Sequence, residues 1–201
     1  LLFVIAAVPT PSEELLNRCL IAAESANIEP IIVVNKIDLP ETAKLLERLS
    51  LYQRLGYPMI MLCALDDKGE TLAPILEGHT GVLVGQSGMG KSTLINALLP
   101  NAQARTGAIS EALDSGRHTT THAALFHLTP HSHLIDSPGL QEFGLSHIEI
   151  AILPSLFPEM RVYLGQCRFH NCTHRMEPGC AIKQATEQGF IHPCLLYTSD
   201  A

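Results

Sequence analysis

The chain alternates between short apolar runs and longer stretches whose apolar residues recur at helical spacing. Apolar runs occupy residues 2–8, 30–34, 58–63 and 81–84, and each reads as a buried strand. Residues 12–26, 41–55, 71–76 and 91–98 space their apolar positions as amphipathic helices. Ser12 stands where an N-cap is expected, with Leu15, Leu16, Cys19 and Leu20 on the inward stripe. Strand alternating with helix predicts a parallel, doubly wound α/β sheet. The pattern lapses over residues 101–121, rich in Gly, Ser, Thr and Ala, and strand character resumes at 123–128 and 133–135. A stretch of that length inside a compact domain is usually functional. Past residue 157 the alternation ends, so the expected division is an α/β domain over 1–152 and a small Cys/His-rich domain over 153–194. Residues 195–201 read as a truncated or non-native tail, and Cys194 beside it receives no role.

Length limits how much more to look for. At 201 residues there is room for one ordinary α/β domain and an appendage, since single cores close at ~100–200 residues. Hydrophobic residues at 46% and charged residues at 16% suit a soluble globular protein, and no apolar run approaches the ~20 residues of a bilayer span. The expectation is a cytoplasmic protein with no membrane partner. The opening run has neither a basic segment before it nor a small-residue cleavage site after it, and so reads as a strand rather than a signal sequence. Thirteen Lys and Arg against 20 Asp and Glu, a net charge of −7, argue against a general electrostatic grip on nucleic acid. Any RNA contact is then local or made by other parts of a longer protein.

The fourth apolar run leads directly into Gly85, Gln86, Ser87, Gly88, Met89, Gly90, Lys91 and Ser92, followed by Thr93 and a helix. This is the Gly-x4-Gly-Lys-Ser pattern between strand and helix that a phosphate-binding loop requires. Its glycines let backbone N–H groups turn toward a β-phosphate, the helix N-terminus adds partial positive charge, Lys91 reaches the β- and γ-phosphates, and Ser92 offers a hydroxyl to Mg²⁺. A glycine-rich turn matching by chance is the bland reading, and the flanking strand and helix count against it.

Asn35, Lys36, Ile37 and Asp38 follow the second run, where an open α/β sheet places its ligands. Asp38 can accept from both the N1–H and the exocyclic amine of guanine, a donor pair that adenine lacks, so one carboxylate selects the base. Asn35 would tie this loop to the base and the phosphate loop, while the Lys36 stem lies on the purine face. Cys63-Ala64-Leu65, after the third run, occupies the place of the Ser-Ala-x loop whose backbone amide meets guanine O6. Asp136-Ser137-Pro138-Gly139 matches the Asp-x-x-Gly switch, with Asp136 holding Mg²⁺ through water and the Gly139 amide sensing the γ-phosphate. Thr120, with Thr119 as alternative, would complete the metal shell from Gly116-Arg117-His118-Thr119-Thr120-Thr121. GTPases usually place the phosphate loop first and the base-reading motif last. Here position 35 precedes 85 and 136, so the order is circularly permuted, which a sheet tolerates when its termini lie close together.

Of six cysteines, Cys19 and Cys63 sit alone in apolar stretches, whereas Cys167, Cys172 and Cys180 crowd beside His170 and His174. Three thiolates and one imidazole make a closed structural zinc site. A segment this small builds little core, so the metal is expected to supply much of its folding energy. His131 and His133 face one side if extended, which suggests a metal pair or, more simply, a surface hairpin.

The permuted order, the phosphate loop through Thr93, the threonine segment, Asp-Ser-Pro-Gly-Leu-Gln-Glu-Phe-Gly and the Cys/His segment together resemble the bacterial ribosome small subunit-dependent GTPase A (RsgA/YjeQ) family, over residues 1 to about 192. The resemblance implies a P-loop NTPase sheet followed by a zinc domain, with His174 rather than His170 as the nitrogen ligand. It implies GTP hydrolysis to GDP and phosphate, stimulated by the small ribosomal subunit during late maturation, with that subunit and its rRNA as partners of a monomer. It also implies an N-terminal OB-fold domain that this chain, read as a fragment, lacks. The family has a hydrophobic residue where Ras-like proteins place the water-orienting glutamine. Leu140 stands there and Gln141 is one step too far, so His118 becomes the candidate for orienting water. Three alternatives accompany this reading: an ATP-using P-loop enzyme, disfavoured by Asp38; a nucleotide-dependent RNA- or ribosome-binding switch with negligible turnover; and a zinc RNA-binding module with a vestigial nucleotide site, disfavoured by Lys91, Ser92 and Asp136.

Overall fold

A computed structural model describes residues 1–99, 123–137, 144, 145 and 147–191. His118, Thr119, Thr120, Gly139, Leu140, Gln141 and Cys194 lie outside the described residues. The chain divides into two compact units, one of Leu1–Leu15 with Pro30–Glu142 and the other of Leu16–Glu29 with Phe143–Ala201.

The first unit is built on a six-stranded sheet in the order β3-β2-β1-β4-β6-β5. Its strands are β1 (Leu2–Ile5), β2 (Ile31–Val34), β3 (Met59–Met61), β4 (Thr80–Val84), β5 (Ala124–Thr129) and β6 (Ser132–Asp136). All pairings are parallel except the β5–β6 hairpin. The early apolar runs are thus strands, the first three shorter than their hydrophobic spans because not every apolar residue finds a ladder partner. Residues 6–8, for example, leave the sheet after Ile5. Continuous apolar character in β1 and β2 follows from burial on both faces, the usual condition of a central parallel strand. One core layer joins Leu2, Val4, Val33, Leu83 and Leu134 of the sheet to Leu76, Leu94 and Ile95 of the helices and to Leu72 of a turn.

The helices are α1 (Glu13–Ser25), α2 (Thr42–Arg54), α3 (Ala64–Asp67), α4 (Ala73–Leu76), α5 (Lys91–Leu98), α6 (Pro158–Arg161) and α7 (Ala181–Glu187), with a 3-10 turn at Leu153–Leu156. Ser12 caps α1 by accepting the Leu15 N–H at 3.2 Å. Leu45, Leu49 and Tyr52 form the buried stripe of α2, at the three- and four-residue spacings that stack side chains on one helix face. The expected helix at 71–76 starts later, at Ala73, with Pro74 in its first turn, where a missing N–H costs nothing.

The histidines at 131 and 133 lie in a hairpin, the simpler of the two expectations, and do not pair with each other. His131 sits in the two-residue turn, and His133 stands opposite His127 across the strands. In the second unit Leu16, Cys19, Leu20, Ile21, Ile148, Leu153, Phe157, Met160, Ile182 and Ile191 are buried, and Glu24 pairs with Arg161 at 2.6 Å. Among the described residues, no helix is long and apolar enough to cross a membrane.

Candidate nucleotide and metal sites

The chain winds from β1 outward to β3 and then returns to β4 on the other side of β1, so the sheet switches direction between β1 and β4. Open α/β sheets bind ligands at the carboxyl ends of strands flanking such a point. Asn35 follows β2, Cys63 follows β3, Gly85 follows β4 and Asp136 closes β6. Pairing of Ile5 with Val34, Phe3 with Val84 and Leu83 with Asp136 brings these ends to one edge.

Asn35 joins three segments there. It is buried, its Nδ2 donates to the Met89 carbonyl at 2.9 Å, and its Oδ1 accepts the Ala64 N–H at 3.0 Å. One carboxamide therefore ties the base-reading loop to the phosphate loop and to the start of α3. Ala64, in the loop expected to offer an amide to guanine O6, has its own N–H engaged by Asn35. Lys36, at φ 59°, donates from Nζ to the Gly88 carbonyl at 2.7 Å and the Val8 carbonyl at 2.9 Å. Thr42 donates its hydroxyl to the Lys36 carbonyl at 3.1 Å and holds the turn from which the exposed Asp38 projects. The Cys63 thiol hydrogen-bonds to Asp38, and this contact, more than burial, holds the thiol above its usual pKa.

The phosphate loop holds Gly85, Gly88 and Gly90 all at positive φ, and the first and last also have no room for a Cβ. Gly85 lies at φ 145°, and a Cβ there would run into the Val4 carbonyl. Gly90 lies at φ 94°, and a Cβ there would strike the Asn35 carboxamide. Met89, nominally a free position of the motif, is 1% exposed, and its Sδ accepts the Ala6 N–H at 3.2 Å. Gln86 accepts the Ser12 N–H through Oε1 at 2.8 Å. Neither contact is written in the motif, because both partners come from the distant loop after β1.

Lys91 opens α5 and folds its Nζ onto the Gly85 and Gln86 carbonyls at 2.6 and 2.9 Å. Burial pulls its pKa down, and the charge of Asp136 pushes it back up. Asp136 is the mirror case: burial raises its carboxyl and Lys91 lowers it. Its Oδ1 is buried with no hydrogen-bond partner. A buried carboxylate oxygen without a donor fits a hydrated cation, and the Ser92 hydroxyl on α5 supplies a second hard oxygen of the kind Mg²⁺ takes. Ser87, Ser92 and Thr93 keep partial or full exposure on this face.

In the second unit the ligand atoms of Cys167, Cys172, His174 and Cys180 all lie within 4.8 Å of one another. His170 is not in the group. His174 Nδ1 is 3.6 Å from Cys167 Sγ and 3.5 Å from Cys180 Sγ, and those sulfurs are 4.0 Å apart. Ligands on a tetrahedral zinc, with Zn–S about 2.3 Å and Zn–N about 2.0 Å, stand about 3.5–3.8 Å from each other. The donor set and its spacing thus suit that ion. The Ala181 and Lys183 N–H groups point at Cys167 and Cys180 sulfurs at 3.3 and 3.5 Å, ready to support thiolate charge. Burial, with Cys167 and Cys180 facing it, pushes the Cys172 thiol up to about 11. Thiols crowded this closely ionise when a cation compensates them. Glu177 shapes the loop between ligands by accepting from the Thr173 hydroxyl and the Thr173, Arg175 and Met176 amides. The hydrogen bonds from Thr173 bring its carboxyl down to about 2. The left-handed φ of 66° at His174 turns the imidazole back toward the sulfurs.

This sheet, with its phosphate loop, base-reading loop and switch aspartate at one edge in rotated order, defines a circularly permuted P-loop GTPase fold. The chain belongs to the RsgA GTPase family, whose profile matches residues 1–146. "Small ribosomal subunit biogenesis GTPase RsgA" of Neisseria meningitidis serogroup C / serotype 2a is 61% identical over 193 residues, covering 96% of this chain and 62% of the relative. The chain therefore spans under two thirds of that relative's length. The solved structure described as YloQ, a circularly permuted GTPase, superposes with a TM-score of 0.73 at 31% identity, covering 98% of this chain and 64% of the other. YjeQ from Thermotoga maritima gives 0.74 at 29% identity, covering 98% and 67%.

Proposed function

We propose that the chain binds GTP and GDP with Mg²⁺, hydrolyses GTP to GDP and phosphate, and acts as a monomer in the cytoplasm in late maturation of the small ribosomal subunit, in contact with that subunit and its rRNA. The observation that carries the nucleotide reading is the Asn35 carboxamide, which holds the base-reading loop against the phosphate loop. The role for which the Neisseria relative is named, small ribosomal subunit biogenesis, supports the ribosomal part.

In this reading Asp38, held by the Cys63 thiol, accepts from the guanine N1–H and amine, and the Lys36 stem covers the purine face. Backbone amides of residues 85–90 cradle the β-phosphate. Lys91 exchanges its two loop carbonyls for β- and γ-phosphate oxygens, a swing that needs no change in α5. Mg²⁺, held by Ser92, Asp136 and Thr120, supplies charge neutralisation at the phosphates. Gly139 senses the γ-phosphate and His118 orients the attacking water. The Cys167, Cys172, His174 and Cys180 cluster holds one structural Zn²⁺.

Equilibrium binding of fluorescent GDP to wild type and Asp38→Asn, competed with GTP, ATP and XTP, tests the base assignment. Wild type should prefer guanine by well over tenfold and the variant should move toward xanthine. Equal competition by ATP overturns the assignment. Turnover with and without small subunits then tests the ribosomal role.

A further inference from the structure

The β5–β6 hairpin carries a second candidate metal site, made of residues in neither the cysteine cluster nor the nucleotide machinery. His127 and His133 are direct cross-strand partners. Their Nδ1 atoms are 2.9 Å apart, and the rings stand nearly perpendicular, at 89° with centroids 4.8 Å apart. Both side chains reach solvent, and β5 is the edge strand of the sheet. Two sp² nitrogens at this separation cannot both present bare lone pairs to each other, so a hydrogen or a cation must lie between or beside them. A shared proton is one solution and a divalent cation is the other.

We propose that His127 and His133 form a two-imidazole site for a borderline divalent transition-metal ion, with Ni²⁺ and Cu²⁺ preferred over Zn²⁺. The geometry gives the preference. Two nitrogens about 2.1 Å from one ion lie about 3.0 Å apart when cis at 90°, as on tetragonal or octahedral Ni²⁺ and Cu²⁺, but about 3.4 Å apart on a tetrahedral ion. The observed spacing matches the cis arrangement without movement of either strand. Antiparallel pairing sets the two Cβ atoms opposite each other, so the backbone has already met the cost of bringing the ligands together. Water completes the shell on the open side. An ion held there pins the edge strand to β6, the strand that ends at Asp136.

The test is calorimetric titration of Ni²⁺ into the full chain with its cysteine cluster already loaded with zinc, which removes the thiolates from competition. Wild type should take up one further equivalent. His127→Ala and His133→Ala should each weaken that uptake at least ~10-fold, whereas His131→Ala, in the adjoining turn, should leave it unchanged. Ni²⁺ should also broaden the imidazole proton resonances of His127 and His133 in the wild-type spectrum, a reading that requires no variant to fold. No uptake by the zinc-loaded protein, equal uptake by His127→Ala, or broadening centred on other histidines would overturn the proposal and leave the pair as an imidazole–imidazole hydrogen bond only.

Discussion

Asn35 shows how much one buried side chain can organise. Asn35→Ala leaves the Met89 carbonyl and the Ala64 N–H without their partner, a loss of about 2 kcal/mol or more. Chemical denaturation should register it, and GDP affinity should fall as the two loops separate. Gly90→Ala should be comparably damaging, since the new methyl displaces the same carboxamide from a positive-φ position. Asp136 makes a prediction of opposite sign. Burial raises its folded-state pKa above the unfolded value, so the folded chain holds the proton more tightly. That contribution to stability is present below the unfolded carboxylate value near pH ~4 and is lost as pH rises through the folded value. Asp136→Asn should flatten this slope and stabilise the nucleotide-free protein at pH 7 by about 1 kcal/mol. It should also abolish Mg²⁺-dependent nucleotide affinity, and thermal melts with and without Mg²⁺ and GTP separate the two effects. A variant that melts earlier than wild type in both conditions would contradict the reading of the orphan oxygen.

At the scale of elements, α1 and α5 are the informative ones. Ser12 serves α1 twice, capping it through its hydroxyl and donating its own N–H to Gln86 of the phosphate loop. Ser12→Ala removes only the cap and should cost about 1 kcal/mol. Gln86→Leu removes only the tie and should weaken GDP binding with little change in stability, an outcome readable by comparing affinity with the denaturation midpoint. Periodicity located α5 to the residue because the phosphate loop and Gly90 define its start. It missed α3, whose four residues are too few to show a helical period. Cys63 looked like an isolated apolar thiol, since nothing local connects it to Asp38, twenty-five positions away along the chain.

For the whole molecule, the cysteine cluster carries the sharpest prediction. If the cluster holds zinc as proposed, a strong chelator should expose the segment from Cys167 to Ile191 to proteases and added zinc should restore its resistance, because a tetrahedral ion would stand in for the core that so short a segment builds poorly. Unchanged protease resistance after chelation would show that the buried residues of the second unit suffice alone.

What the sequence determined by itself was chemistry that is local along the chain. The strands announced themselves by unbroken apolar runs, the proposed phosphate loop by its glycines before Lys91, and the proposed base-reading loop by Asp38. The four proposed metal-ligand positions crowd within fourteen residues. The tertiary structure alone decided the relations between segments. Among these are Asn35 spanning three loops, Met89 turned into the core, Lys36 reaching Val8, and His127 rather than His131 facing His133. Residues 16–29 likewise group with the second unit, although no pattern along the chain assigns them there. The physical reason is one of range. Periodicity and spacing report what a residue does with neighbours a few positions away, whereas hydrogen bonds and ladder register join residues that only the closed sheet brings together.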